Sequence, residues 1–131
     1  MKHILVASIL LIQGCAFLPY PFDQGEYPSP QLVAMVERTR PAARLTTIEF
    51  RDSWARYISK VVEVTGTVTR IINKGGAAAV ELDNDWASCY FGRKQKPMVG
   101  RLHEGQRVTF RGFVHPHFTR GLETCILITS R

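Results

Sequence analysis

Positions 61–72 read VVEVTGTVTRII, an alternation of apolar and polar residues. Val62, Val64, Val68 and Ile72 fall on one face, with Gly66 among them, and Glu63, Thr65, Thr67 and Thr69 fall on the other. Period-two alternation of β-branched residues predicts a half-buried strand. The run is long for a strand, and its interior glycine predicts a bend or bulge. Asn73-Lys74-Gly75-Gly76 then predicts a turn. A second strand follows, with Ala78, Val80 and Leu82 alternating against Ala79, Glu81 and Asp83, and Asn84-Asp85 closes it. Positions 86–92 (WASCYFG) make a third strand with Cys89 and Phe91 on one face. Positions 93–105 are polar, with one helical turn predicted around Met98, Val99 and Leu102. Alternation returns at 106–114, where Val108, Phe110, Gly112 and Val114 oppose Arg107, Thr109, Arg111 and Phe113. Positions 115–121 read as a loop, and 122–129 (LETCILIT) as the last strand.

Upstream of the strands the period changes. Thr46 and Glu49 have the spacing of a capping box. Phe50, Trp54, Tyr57 and Ile58 follow as one apolar helical stripe, expected to pack on the strands rather than hold a ligand. Earlier still, Ser29-Pro30 starts a shorter helix through Leu32, Val33 and Val36, which Pro41 ends. The expectation is mainly β: five strands, three then two, with a helical insert between and an amphipathic helix in front. That order matches a five-stranded Greek-key OB barrel whose long bent first strand serves both halves. An SH3-like barrel is the alternative, and it lacks the long break before the fourth strand.

The N-terminus is an address. Lys2 and His3 precede the apolar run ILVASILLI at 4–12, too short for a membrane span and suited to a signal-peptide core. Ile12-Gln13-Gly14-Cys15 resembles the bacterial lipobox, in which the cysteine is lipidated through its thiol and becomes the mature N-terminus. Ala16, not Asp, follows Cys15, so the resemblance implies an outer-membrane anchor facing the periplasm. Positions 16–29 hold Pro19, Pro21 and Pro28 among aromatics and read as a semi-rigid tether. The expected organisation is a signal peptide at 1–14, lipidated Cys15 with tether and short helix at 15–45, and an OB domain at 46–131.

The segments YISKVVEVTGTVTRI, AAVELD, SCYFG, LHEGQRVTFRGFV and ETCILI together resemble the tRNA-anticodon-like OB family of bacterial lipoproteins. Tyr57, Lys60, Val62, Val64, Gly66 and Val68 carry the first element of that resemblance. Cys89 and Phe91 carry the second, with Tyr90 between them; Leu102, Gly105, Val108 and Gly112 carry the fourth strand, and Cys125 the last. Most of these are core or turn positions, so the resemblance implies a fold and little about activity.

Composition narrows the chemistry. The chain has 131 residues and a net charge of +6, without a run of three or more consecutive basic residues. Basic balance suits an acidic partner, whether nucleic acid, lipid headgroup or glycan, or solubility alone. Within an OB barrel the strands carrying Cys89 and Cys125 are neighbours, and outside the cytoplasm such a pair is expected to oxidise; two reduced core thiols are the alternative. His115-Pro116-His117, with His103, reads as a solvated loop rather than a metal site, since no further ligand is adjacent. OB modules bind on their second and third strands and the flanking loops. Lys74, Trp86, Tyr90, His117, Phe118 and Arg120 are the residues expected near that surface. Aromatics beside cations suit stacking on bases or sugars. No nucleophile with a partner base and no phosphate loop is recognisable. The expected function is therefore a lipid-anchored binding module without catalysis or cofactor. Its partner is a protein or an envelope glycan, with nucleic acid as the alternative.

Overall fold

The computed structural model describes residues 30–74, 77–84, 86–117 and 119–131. The signal peptide, Cys15 and the tether lie outside the described residues. Among the described residues no helix is long and apolar enough to cross a membrane. The elements run α1 (Pro30–Arg38), β1 (Arg44–Thr46), α2 (Thr47–Ser53), a 3-10 turn (Trp54–Tyr57), β2 (Val61–Lys74), β3 (Ala77–Leu82) and β4 (Ala87–Phe91). A second 3-10 turn (Arg93–Gln95), α3 (Lys96–Val99), β5 (Arg107–Val114) and β6 (Gly121–Ser130) complete the chain.

The sheet closes on itself as an OB barrel. Its order is β1-β2-β3-β4-β6-β5, and β5 pairs back to β2. Long β2 makes this possible: residues 61–67 pair antiparallel with β5, and 68–74 pair antiparallel with β3. The inward residues of the barrel strands, with Phe50, Val99 and Leu102, form one core. Phe91 and Phe110 meet edge to face in it, 4.9 Å between centroids, the arrangement their ring quadrupoles favour.

The bend in β2 is a register shift between Val68 and Arg70. It corrects one sequence expectation. A one-residue bulge moves every later side chain to the opposite face. Ile71, opposite buried Val80, therefore packs on the core. Ile72, expected inward, pairs instead with Ala79 in the outward set.

Gly66 sits where α2 crosses β2. A β-carbon there would lie 2.5 Å from Thr47 Cγ2 and 2.7 Å from Asp83 Oδ2, so only glycine allows this approach. Asp83 joins the pieces: it accepts from the Thr47 hydroxyl and from the Thr67 N–H. The capping box is formed, with Glu49 N–H donating to Thr46 Oγ1 and Thr46 N–H to Glu49 Oε1. The helix is shorter than its apolar stripe suggests. It ends at Ser53, and the 3-10 turn carries Trp54 and Tyr57 onto the core.

β1 has no counterpart in the sequence expectation. It lies parallel to β2, with Glu63 N–H donating to Ala43 O at 3.0 Å. It occupies the flank of β2 that β3 leaves uncovered. α1 packs on β5 and β6, burying Val36 completely. Glu63, on the outer face of β2, is only 5% exposed. Arg111 holds its Oε2 through Nε at 2.9 Å and Nη2 at 2.7 Å, and Arg44 holds Oε1 at 3.1 Å. The Nη1 group of Arg111 also donates to Glu37 O at 2.9 Å, tying α1 to the barrel.

Candidate ligand-binding face

The outer surface of β2, β3 and β4 is built from cross-strand rows. Ile72 pairs with Ala79, and Ala79 with Tyr90. All three are half-buried and belong to the outward set. Alanine stands between two larger residues in this row. The neighbouring row is Arg70, Glu81 and Ser88. Arg70 reaches Glu81 at 3.3 Å, with the arginine side chain 65% exposed and the glutamate 19%. A carboxylate thus stands in the centre of the face, and its charge is mixed rather than cationic.

The loop between β5 and β6 borders this surface through the parallel β4–β6 pair, where Ser88 stands opposite Gly121. Ser88 N–H donates to Arg120 O at 3.0 Å. Arg120 is half-buried with φ +55°, and its buried Nε has no hydrogen-bond partner among the described residues. His117 is exposed, and its backbone N–H donates to His115 Nδ1 at 2.9 Å. His115 Nε2 faces the buried Glu123 carboxylate at 3.7 Å. With Nδ1 accepting, Nε2 is the ring nitrogen turned towards Glu123. Both nitrogens of that histidine are engaged within the fold. Among the described residues no group of three or more His, Cys, Asp or Glu is placed to hold a metal.

Of the six residues expected at the face, Tyr90 and Arg120 come together around Ser88, and His117 lies in the adjoining loop. Lys74 closes β2 opposite Ala77, at the far end of the β2–β3 hairpin. Phe118 lies outside the described residues. Trp86 stands at the α2 end of β4, and the Arg51 guanidinium lies over its ring at 4.4 Å. A cation from this chain therefore covers one face of that indole. Sequence reading missed Ile72, Ala79, Arg70 and Ser88. The alternation of β3 and β4 could have supplied Ala79 and Ser88, but Ile72 needed the bulge.

A cleft of about 360 Å³ opens on the wall made by β1, β2, β5 and β6. Thr46, Thr65, Thr109 and Thr129 form one row across its four strands. The Thr65 and Thr109 hydroxyls bond each other at 2.7 Å, and Thr46 serves as the α2 cap. Glu63 in its floor is held by Arg111 and Arg44. The polar groups of the floor are thus largely committed to one another.

No family model and no curated protein matches the chain. Among solved structures it is similar to a presumed nucleic acid-binding lipoprotein from Klebsiella pneumoniae subsp. pneumoniae MGH 78578. The TM-score is 0.55 at 19% identity, over 78% of this chain and 99% of that one. It is also similar to a presumed aspartyl-tRNA synthetase from Leishmania major Friedlin. There the TM-score is 0.50 at 14% identity, over 95% of this chain and 25% of that one. At these identities the likeness is one of fold.

Proposed function

We propose that this chain is a lipid-anchored binding module of the bacterial envelope that acts through its β2-β3-β4 face, without catalysis. Lipidation at Cys15 tethers it to the outer membrane on the periplasmic side. The lipobox-like positions 12–15 support this reading, as does the lipoprotein nature of the Klebsiella neighbour. The partner is a protein segment or an envelope glycan. One observation carries that choice: the outward row that holds Tyr90 is flanked by a paired Arg70 and Glu81. A face with both signs of charge and an aromatic edge suits a neutral or mixed-charge partner better than a polyanion, whose phosphates Glu81 repels.

The second reading is single-stranded nucleic acid. The name of the Klebsiella neighbour and the outward, half-buried Tyr90 favour it. One experiment separates the two. The full chain with Cys15→Ser is titrated with soluble cell-wall glycan fragments and with a single-stranded oligonucleotide across a salt series. The envelope reading expects glycan or envelope-protein binding that changes little with salt and is lost in Tyr90→Ala. Oligonucleotide affinity that falls steeply with salt and rises in Glu81→Gln overturns it in favour of the second reading. Anchoring is tested separately, by metabolic labelling with palmitate in the wild type and in Cys15→Ser.

A further inference from the structure

Between β4 and β6 the barrel closes through a short seam. β4 and β6 are parallel and share only two register pairs, Ser88 with Gly121 and Cys89 with Leu122. The ladder stops because β6 loses register against β5 between Arg111 and Phe113, at Thr124 and Cys125. The segment 120–125 also concentrates strain. Arg120 and Thr124 both hold φ +55°, a region β-branched and bulky residues avoid. The Arg120 Nε and Thr124 Oγ1 atoms are buried without a hydrogen-bond partner among the described residues. Such a concentration marks a place that a further interaction is needed to hold.

Cys125 stands at this point. Its sulfur accepts from the Tyr90 backbone N–H, which ties it to β4. Its side chain also meets that of Cys89 within hydrogen-bonding reach, and both thiols are free and buried in one core cluster. Gly112 makes the room: a β-carbon there would lie 2.8 Å from Cys125 Sγ.

We propose that Cys89 and Cys125 form an intramolecular disulfide that latches this seam and holds the Tyr90–Arg120 face in shape. The two thiols give up two protons and two electrons, and one Sγ–Sγ bond forms. The oxidant is a reactive disulfide, reduced in the exchange to two thiols. One cysteine thiolate attacks it to give a mixed disulfide, and the other cysteine displaces the bound half. Burial, reinforced by the neighbouring Cys89, pushes the Cys125 thiol up, so the closed barrel holds it protonated and poorly nucleophilic. The proposal depends on the envelope reading only for where the oxidant is met.

The test uses the full chain with Cys15→Ser, refolded in a mixture of oxidised and reduced glutathione. Mass spectrometry is expected to find the Cys89 and Cys125 peptides linked. The oxidised form is expected to melt on the order of 10–20 °C above its reduced form. Amide exchange at 87–91 and 121–125 should quicken on reduction by at least about tenfold more than exchange at 77–82. Cys89→Ala/Cys125→Ala should behave as the reduced form, which separates the bond from the mere presence of sulfur. Free thiols after refolding overturn the proposal, and a bond without selective protection of the seam overturns the latch. A chain shown not to be anchored that still forms and uses the bond sinks the envelope reading alone; an anchored chain with free thiols sinks the latch alone.

Discussion

Replacing Gly66 by alanine tests whether the crossing of α2 over β2 organises the barrel end. The new methyl would stand 2.5 Å from Thr47 Cγ2, 2.7 Å from Asp83 Oδ2 and 3.3 Å from Leu82 Cβ. The first two distances are far inside van der Waals contact, so α2 or Asp83 must move. Overpacking of this kind costs about 1–3 kcal/mol. Displacing Asp83 weakens its bonds to Thr47 and Thr67, and hydrogen bonds to a charged group are worth about 1.5–3 kcal/mol. Alanine regains about 0.5–1 kcal/mol over glycine in a strand. The net expectation is a loss of about 2–5 kcal/mol. Urea unfolding of the full Cys15→Ser chain, with and without Gly66→Ala, measures it. The cause is isolated by Thr47→Ser, which deletes the methyl at 2.5 Å and keeps the hydroxyl that bonds Asp83. The combined variant should recover at least about 1 kcal/mol of the Gly66→Ala loss, a coupling expected of residues in contact. A Gly66→Ala loss below about 1 kcal/mol, or costs that simply add, would refute the steric account.

Arg111→Met leaves buried Glu63 with only the exposed Arg44 and frees the Glu37 carbonyl. A loss of about 3–5 kcal/mol in urea unfolding is expected, with faster amide exchange across α1; a change confined to either readout would separate the two roles. Tyr90→Ala should weaken binding of the true partner about tenfold or more, since aromatic side chains covered by a partner act as hot spots, while leaving the melting temperature within a few degrees. Unchanged affinity would move the site off this face. Thr46→Ala removes the α2 cap and should cost about 0.5–2 kcal/mol by the same urea assay; no measurable loss would mean that α2 is held by Phe50 and Asp83 alone.

The strands and their order were legible because each depends on a local signal. Period-two alternation marks β2, β3, β4 and β5, a run rich in β-branched residues marks β6, and the capping box at Thr46 and Glu49 marks the start of α2. A bend was expected from Gly66; the register shift falls just after it, between Val68 and Arg70, and Gly66 itself serves the close approach of α2. Tyr90 was legible as an outward aromatic, because the alternation of β4 is regular and its burial follows it.

What the sequence left open depends on partners far away in the chain. Position 63 sits on the polar side of an alternating strand, yet it is buried because Arg44 and Arg111 converge on it from two other strands. Ile71 and Ile72 are equally apolar, and only the shift of β2 against β3 decides which faces the core. Trp86 looked as available as Tyr90 until α2 laid Arg51 over it. β1 is three residues long and has no period to read; it is a strand because β2 has an open flank at Glu63. Local pattern thus determined which residues form strands. Closure of the barrel, which brings distant residues into one register, decided what each outward side chain faces.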